Sequence, residues 1–537
     1  MQHLINDRNY FLRDNNWLLP LCLLLLIPSY FINLGIFPLY NEEPRRALIA
    51  LEMIFRNNFL VPTEMGEFYY KKPPVFNWIL IGSFRLFGSY SEFAARFVSV
   101  ISLLGMGLLM FLFVKYWSSL RLAVYAALLF LISADIYFYF SLTSEIDLFY
   151  SFITFGSIIA IFHFHKKGKL LTLFLITYGL GAIGFLTKGL PSAVFLAITI
   201  AVFFIYKKEF KKLFSWQHFA GIGLFLLIAG GYFWLYSVQN SLDGFVRDLW
   251  TQSSDRTLVK KSFLDLTKHL YTFPLVVLKD TLPASILLIF AFNKSIWRKI
   301  FSNDLMKFCV IIFLANILIY WISPGTRSRY IYMLYPFAVI IFTFIFLENK
   351  DKYPVLKKFL EGLGIFIFAV IAMASVAVLF IPDISIKMEG WGYSILLAIA
   401  ALLFIFLFIK NRKHVLLWII LAFIVARIGF DIIVLPVRAA EGEHVQFKKD
   451  AQIITDIANG EQLYLWQHQT DSTYSLGSVF YIERERKEVL GMKHDKECST
   501  FFLADKRQLQ NDELRIYHSF SFRGRNYYLF KFTDCNN

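Results

Sequence analysis

Six charged side chains crowd the boundaries of two apolar runs near the start of the chain: Glu42, Glu43, Arg45 and Arg46 follow one, and Lys71 and Lys72 precede the next. Carboxylates and cations held where water meets lipid are costly unless they are paired or used, so residues 40–88 are the first place to look for chemistry. A carboxylate there can take a proton from a hydroxyl or orient a nucleophile. Clustered Lys and Arg can hold an anion and stabilise negative charge as it develops. Three further segments carry the same residue types at the ends of apolar runs: Glu145-Ile146-Asp147, Arg256, and the stretch through Arg327, Arg329 and Tyr330.

These groups must be positioned by membrane helices. The chain has 537 residues, 57% of them hydrophobic, with 60 Phe and a mean hydropathy of +0.55, and its apolar residues fall in long runs, as in a helical polytopic membrane protein. Thirteen runs read as spans: 17–39, 93–116, 122–140, 146–164, 170–187, 190–206, 219–236, 275–292, 305–322, 330–347, 363–381, 391–409 and 415–434. The first reads as a retained anchor, since no small-residue cleavage site follows it. A fourteenth run, 75–88, is placed along the membrane surface. With that choice the basic clusters at Arg8/Arg13, Lys115/Arg121, Lys166/Lys167/Lys169, 207–212, Lys294/Arg298/Lys299, 350–358 and 410–413 all fall on one side. Positive loops mark the cytoplasmic side. The net charge of +15 is thereby explained without nucleic acid. It leaves 40–92, 141–145, 237–274, 323–329 and the chain beyond about 436 on the outer face, with Arg45, Arg46, Arg56, Lys71, Lys72, Arg256, Arg327 and Arg329 as cations where few are expected. Either they bind something anionic or they pair with Glu42, Glu43, Glu64, Glu67 and lipid headgroups.

From residue 441 onward the composition becomes mixed and alternating. Five short strands, at 462–467, 487–492, 499–504, 513–520 and 526–532, and a helix at 445–458 predict a small α/β domain. The boundaries drawn are 1–436 for the membrane domain, with 40–92 as its juxtamembrane loop, and 437–537 for the soluble domain. His444, His468, His494 and His518 are scattered through it and read as surface or structural, and Cys498 and Cys535 are either a disulfide or two thiols. Within the spans, GLGAIG at 179–184 matches a dinucleotide pattern but sits inside a helix, where small residues serve close packing. Arg427 and Asp431 stand four apart and read as an ion pair on one helix face. Asp135 is ambiguous in the same way.

Taken together, Glu42-Glu43-Pro44-Arg45-Arg46-Ala47, Lys71-Lys72-Pro73-Pro74, Phe87-Gly88 with Phe93-Ala94-Ala95-Arg96, Asp147, Thr187-Lys188-Gly189 and 323–336 resemble, in order and spacing, the motifs of lipid-carrier-dependent glycosyltransferases of the GT-C fold. The similarity is greatest to the branch of the lipid A aminoarabinose transferase and the protein O-mannosyltransferases. The resemblance implies a polyprenyl-phosphate-sugar donor, an acceptor that is lipid A, another glycan or a protein hydroxyl, and inversion at the anomeric carbon. It implies Glu42 and Asp147 as catalytic, Lys72, Arg256 and Tyr330 on the donor phosphate with Arg45, Arg327 and Arg329 behind them, and Glu43, Lys71, Glu145 and Lys188 in support. Two departures stand out. The first catalytic Asp of that family is Glu42 here, and the Glu that binds metal in the aminoarabinose enzyme is Lys71, which puts a divalent metal in doubt because an ammonium is no metal ligand. The histidine expected shortly before Arg256 is missing, and His269 is the only one in that loop. The expected location is the plasma (inner) membrane, with the N-terminus cytoplasmic and the site and C-terminal domain outside. The alternative from the same basic cleft is a transporter or flippase of an anionic lipid. Against it, no internal repeat and no interrupted helix pair at mid-bilayer is evident.

Overall fold

A computed structural model describes residues 17–254, 263–324, 326–381, 391–441, 445–466, 474–509, 513–522 and 524–534. Arg256, Gly325, His444, His468 and Cys535 lie outside them. Among the described residues, nine helices are long and apolar enough to cross a membrane, and two helix pairs qualify together as bent spans. Three shorter apolar helices coincide with the other runs, Leu18–Ser29 and Leu190–Tyr206 with two of the thirteen expected spans and Val75–Phe87 with the run placed along the surface, so by length and composition the described residues give nine spans, or eleven with the bent pairs, against the thirteen expected. The protein is a multi-pass membrane protein.

The bends have local causes. Leu120–Leu131 turns by 47° into Ala134–Leu142, and at the break Ala134 N–H leaves the ladder for Leu282 C=O at 2.8 Å. Leu264–Asp280 turns by 106° into Ala284–Phe290 across Pro283, which has no N–H to continue the helix.

Between the first two spans, the helix Glu43–Phe55 starts with Pro44 in its first turn, a position where the missing N–H costs nothing. Val75–Phe87 begins directly after Pro74 and stops at Gly88 in the left-handed region, a common helix end. Strands β1 (Thr63–Glu64) and β2 (Glu67–Phe68) form a hairpin between these helices. Val75, Phe76, Leu80, Ile81 and Phe84 are buried, while Ile79 and Leu86 are exposed, so this helix has an apolar face on both sides, as one lying against lipid requires.

The C-terminal part is a five-stranded mixed sheet with order β4-β3-β5-β7-β6, where β3 is Leu463–Trp466, β4 Met492–Lys493, β5 Phe501–Asp505, β6 Leu514–Phe522 and β7 Arg525–Phe532. Helix Val445–Ile457 matches expectation. The helix Leu476–Arg486 does not appear in the sequence reading. Its residues Gly477–Glu483 are all buried, so it has no polar stripe to reveal its period. This helix docks the domain onto the membrane part. Tyr481 OH donates to Glu92 Oε1 at 2.8 Å and accepts from Leu39 N–H at 2.8 Å, and Lys448 Nζ reaches the same Glu92 oxygen at 2.7 Å. At the hairpin tip Gly66 has φ +77°, and a Cβ there would stand 3.0 Å from Gly491 Cα. Only glycine allows the two backbones to meet. Cys498 is disulfide-bonded, and Cys22 and Cys309 are buried thiols.

Candidate active site

Adjacent glutamates at the start of one helix cannot face the same way, and here they take opposite roles. Glu43 is 1% exposed and forms a two-point pair with Arg96, Nε to Oε1 at 2.9 Å and Nη2 to Oε2 at 3.1 Å. Arg96 spends its other protons on the carbonyls of Leu34, Phe37 and Pro38, and Glu43 also accepts from Ser144 N–H at 2.6 Å. The pair therefore fastens the end of the first span, the motif helix and the loop before Ile146–Lys166 to one another.

With Glu43 turned inward, Glu42, Arg45 and Arg46 face a chamber of about 580 Å³. Arg45 bonds the Glu42 carboxylate through Nη1 and Glu64 through Nε at 3.0 Å. Arg46 donates to Tyr69 OH at 3.1 Å. On the far wall, Lys188 at the break between two helices puts its ammonium 2.5 Å from Asp147 Oδ1 and 4.7 Å from the ring centres of both Tyr150 and Tyr330. Lys72 Nζ reaches the Lys188 carbonyl at 3.4 Å, which ties the juxtamembrane loop to that wall. Arg329 bonds Glu145 and stands 3.7 Å from Asp147 Oδ2. Burial, and then the Asp147 carboxylate, push the Glu145 carboxyl upward, while Arg329 pulls it back.

The chamber thus collects Glu42, Arg45, Lys71, Lys72, Glu145, Asp147, Lys188, Arg327, Arg329 and Tyr330 from segments far apart in the chain. Of the residues singled out in the sequence, Glu43 does not line it, and Arg256 lies outside the described residues. His269 is directed elsewhere, with Nε2 3.0 Å from the Tyr320 carbonyl. Tyr69, Asp248 and Thr251 also line the chamber, although none of them belongs to the sequence motifs. Asp248 and Thr251 sit three apart on the helix Asp243–Ser254, and that spacing on one face was their only signal. Seven cations face four carboxylates in this lining, an excess of three positive charges.

Residues 71–234 match the family described as dolichyl-phosphate-mannose-protein mannosyltransferase. The chain is 31% identical over 271 residues to undecaprenyl phosphate-alpha-4-amino-4-deoxy-L-arabinose arabinosyl transferase 1 of Proteus mirabilis, covering 49% of this chain and 47% of that one. It is 29% identical to the corresponding transferase of Aeromonas salmonicida, over 40% of this chain and 39% of that one. The chain therefore spans about half the length, or less, of these named relatives. An uncharacterised protein of Aquifex aeolicus is 27% identical over 58% of this chain and 69% of its own. In three dimensions the structure matches ArnT from Cupriavidus metallidurans bound to undecaprenyl phosphate, with a TM-score of 0.69 at 16% identity over 96% of this chain and 98% of that one. The chain has the GT-C fold of that structure. Within that fold, the matched family segment includes Lys71, Lys72, Asp147 and Lys188 but neither Glu42 nor Tyr330.

A divalent metal in this GT-C chamber finds a poor donor set. Lys71 stands where the resemblance places a metal-binding carboxylate, Glu42, Glu145 and Asp147 are each already bonded to a cation, and among the described residues no group of three His, Cys, Asp or Glu could hold a metal ion.

Proposed function

We propose that the chain transfers a sugar from a polyprenyl-phosphate donor to an acceptor at the membrane surface. The observation that carries this reading is the chamber itself, an excess of cations at the end of a membrane bundle with carboxylates among them. Every named relative given above is a glycosyltransferase, which favours transfer over lipid transport.

Cleavage of the bond between the sugar and the phosphate moves an electron pair onto the phosphate oxygen. Lys72, Tyr330, Arg327 and Arg329 stand where they can stabilise that charge, and loss of one such preorganised donor costs roughly 3 kcal/mol in comparable sites. The two carboxylates are not equivalent as bases. Glu42 has a side chain 46% exposed, whereas Asp147 is 3% exposed and held by Lys188 and Arg329. Glu42 can therefore meet an incoming hydroxyl and take its proton. Asp147 holds Lys188 and Arg329 in place beneath the donor. If the acceptor is itself a phosphate, little base is needed and Glu42 positions it.

Two features support an extracytoplasmic chamber. Lys166 and Lys207 gather around Asp304, and Lys299 pairs with Glu348, at loops that the charge rule assigns to the cytoplasm. The Cys498 disulfide suits an oxidising compartment. The test is incubation of the purified protein with labelled polyprenyl-phosphate sugar and an outer-leaflet acceptor extract. Label passing to the acceptor is expected, and movement of the lipid without sugar transfer refutes the assignment.

A further inference from the structure

A second cavity, of about 270 Å³, lies across the motif segment from the chamber: Tyr40 lines it, and Glu42, two residues on, lines the chamber. Its walls are mainly Leu34, Phe37, Phe138, Leu142, Phe430 and Leu435. From these walls and the cation beside them, we infer that this cavity is a lipid site, taking acyl chain from an anionic membrane lipid whose headgroup rests on Arg438.

The cavity is built by a deviation in the last span. Phe430–Val434 is a π-helical turn. Residues five apart lie on different faces of an α-helix of 3.6 residues per turn, but a widened turn brings Phe430 and Leu435 to one side. The turn is held in place: Arg427 Nε bonds Asp431 Oδ2 at 2.5 Å and Arg427 Nη1 bonds Ser141 Oγ at 3.1 Å, while Asn33, itself at φ 54°, donates to the Asp431 carbonyl at 2.7 Å.

Water is a poor occupant. A water held there needs about two to four polar partners. The guanidinium of Arg96 at the cavity is already saturated by Glu43 and three carbonyls, the Asn33 amide is engaged with Asp431, and the Tyr40 and Tyr139 hydroxyls bond each other, which leaves Arg438 as the charged group facing an occupant. Hydrocarbon needs no such partners. Charge then selects the head. Arg438 is exposed, packs over the Phe430 ring at 5.7 Å and forms no ion pair among the described residues, and Tyr139 beside it is 42% exposed. A cation and a tyrosine at the end of a span suit a lipid phosphate.

The test uses the full chain in native mass spectrometry against phosphatidylglycerol and phosphatidylcholine of matched acyl chains. One phosphatidylglycerol is expected to stay bound in preference to phosphatidylcholine. Arg438→Glu, which reverses the charge, and Leu142→Trp, which fills the cavity, should each weaken its retention about tenfold or more, and Arg438→Lys should keep it. Equal retention of the two lipids, no retained phosphatidylglycerol, or unchanged retention in both variants overturns the inference. None of these readouts depends on sugar transfer, so the lipid site and the proposed activity stand or fall separately.

Discussion

Glu42 and Glu43 differ by one position and by everything else. Replacing Glu42 by Gln removes the proton acceptor but leaves the fold, so turnover should fall ~10²-fold or more with little change in thermal stability. Glu43→Gln should do the reverse. It leaves Arg96 buried with half its partner gone, a loss of about 3–5 kcal/mol, which a shift in the unfolding midpoint of detergent-solubilised protein would register. Lys72→Ala should also lose ~10²-fold in turnover, because its ammonium is at once a donor-phosphate candidate and the tie between the loop and Lys188. Chelation separates this chamber from a metal-dependent one: with Lys71 in the metal position, turnover should be the same with and without EDTA, and a loss restored by zinc or manganese would show that the donor set was misjudged. That charged residues at the ends of apolar runs would meet in one chamber was legible in the sequence, since few other uses repay such positions. The family resemblance singled out Glu42 and put Glu43 in support, but the inward turn of Glu43 onto Arg96 was not legible, because it depends on the phase of a helix that Pro44 starts and Arg96 anchors.

At the scale of elements, the contact between the motif helix and Leu476–Arg486 buries two carboxyls, Glu52 and Glu483, both 0% exposed. Glu52 accepts from Thr63 Oγ1 at 2.5 Å and from the Met65 and Gly66 amides, and Glu483 accepts from Leu490 N–H at 2.9 Å. Burial first raises both above the ordinary glutamate value of 4.5, and Glu52 raises Glu483 further, while Arg56 opposes both shifts. The undocked, solvated carboxyls release their protons at lower pH than the docked ones. Docking is therefore at full strength below the ordinary carboxylate range and weakens as the pH rises through the raised values. Hydrogen exchange across Leu476–Arg486 should be slower at pH 5 than at pH 8 after correction for the intrinsic rate, and Glu483→Gln should flatten that difference. The sequence showed neither this pair nor the docking helix. A segment buried on every side has no polar stripe, and a buried carboxyl reads like any surface glutamate until its partner is known.

For the molecule as a whole, nine spans were legible because each is a run of about the length a bilayer requires, whereas the runs at Leu18–Ser29 and Leu190–Tyr206 form shorter helices than the sequence implies. The two sharp bends were not, since they arise where a backbone amide leaves its ladder or a proline interrupts it. The charge pattern also predicts which end faces outward: a reporter enzyme that is active only outside the cytoplasm should work when fused after Asn537 and fail when fused after Phe210, in the basic loop at the other end. The docking contact bears on how such proteins can be recombined. Strands β1 and β2, the Gly66 tip and Glu52 belong by chain position to the membrane part, yet their mates are Gly491 and Glu483 in the C-terminal part. A chimera cut at residue 437 would inherit mismatched halves of one interface, and the error would be felt in the helix that opens with Glu42. An exchange between relatives would have to carry residues 52–66 with the C-terminal domain and keep Glu92, which Tyr481 and Lys448 bond from the other side.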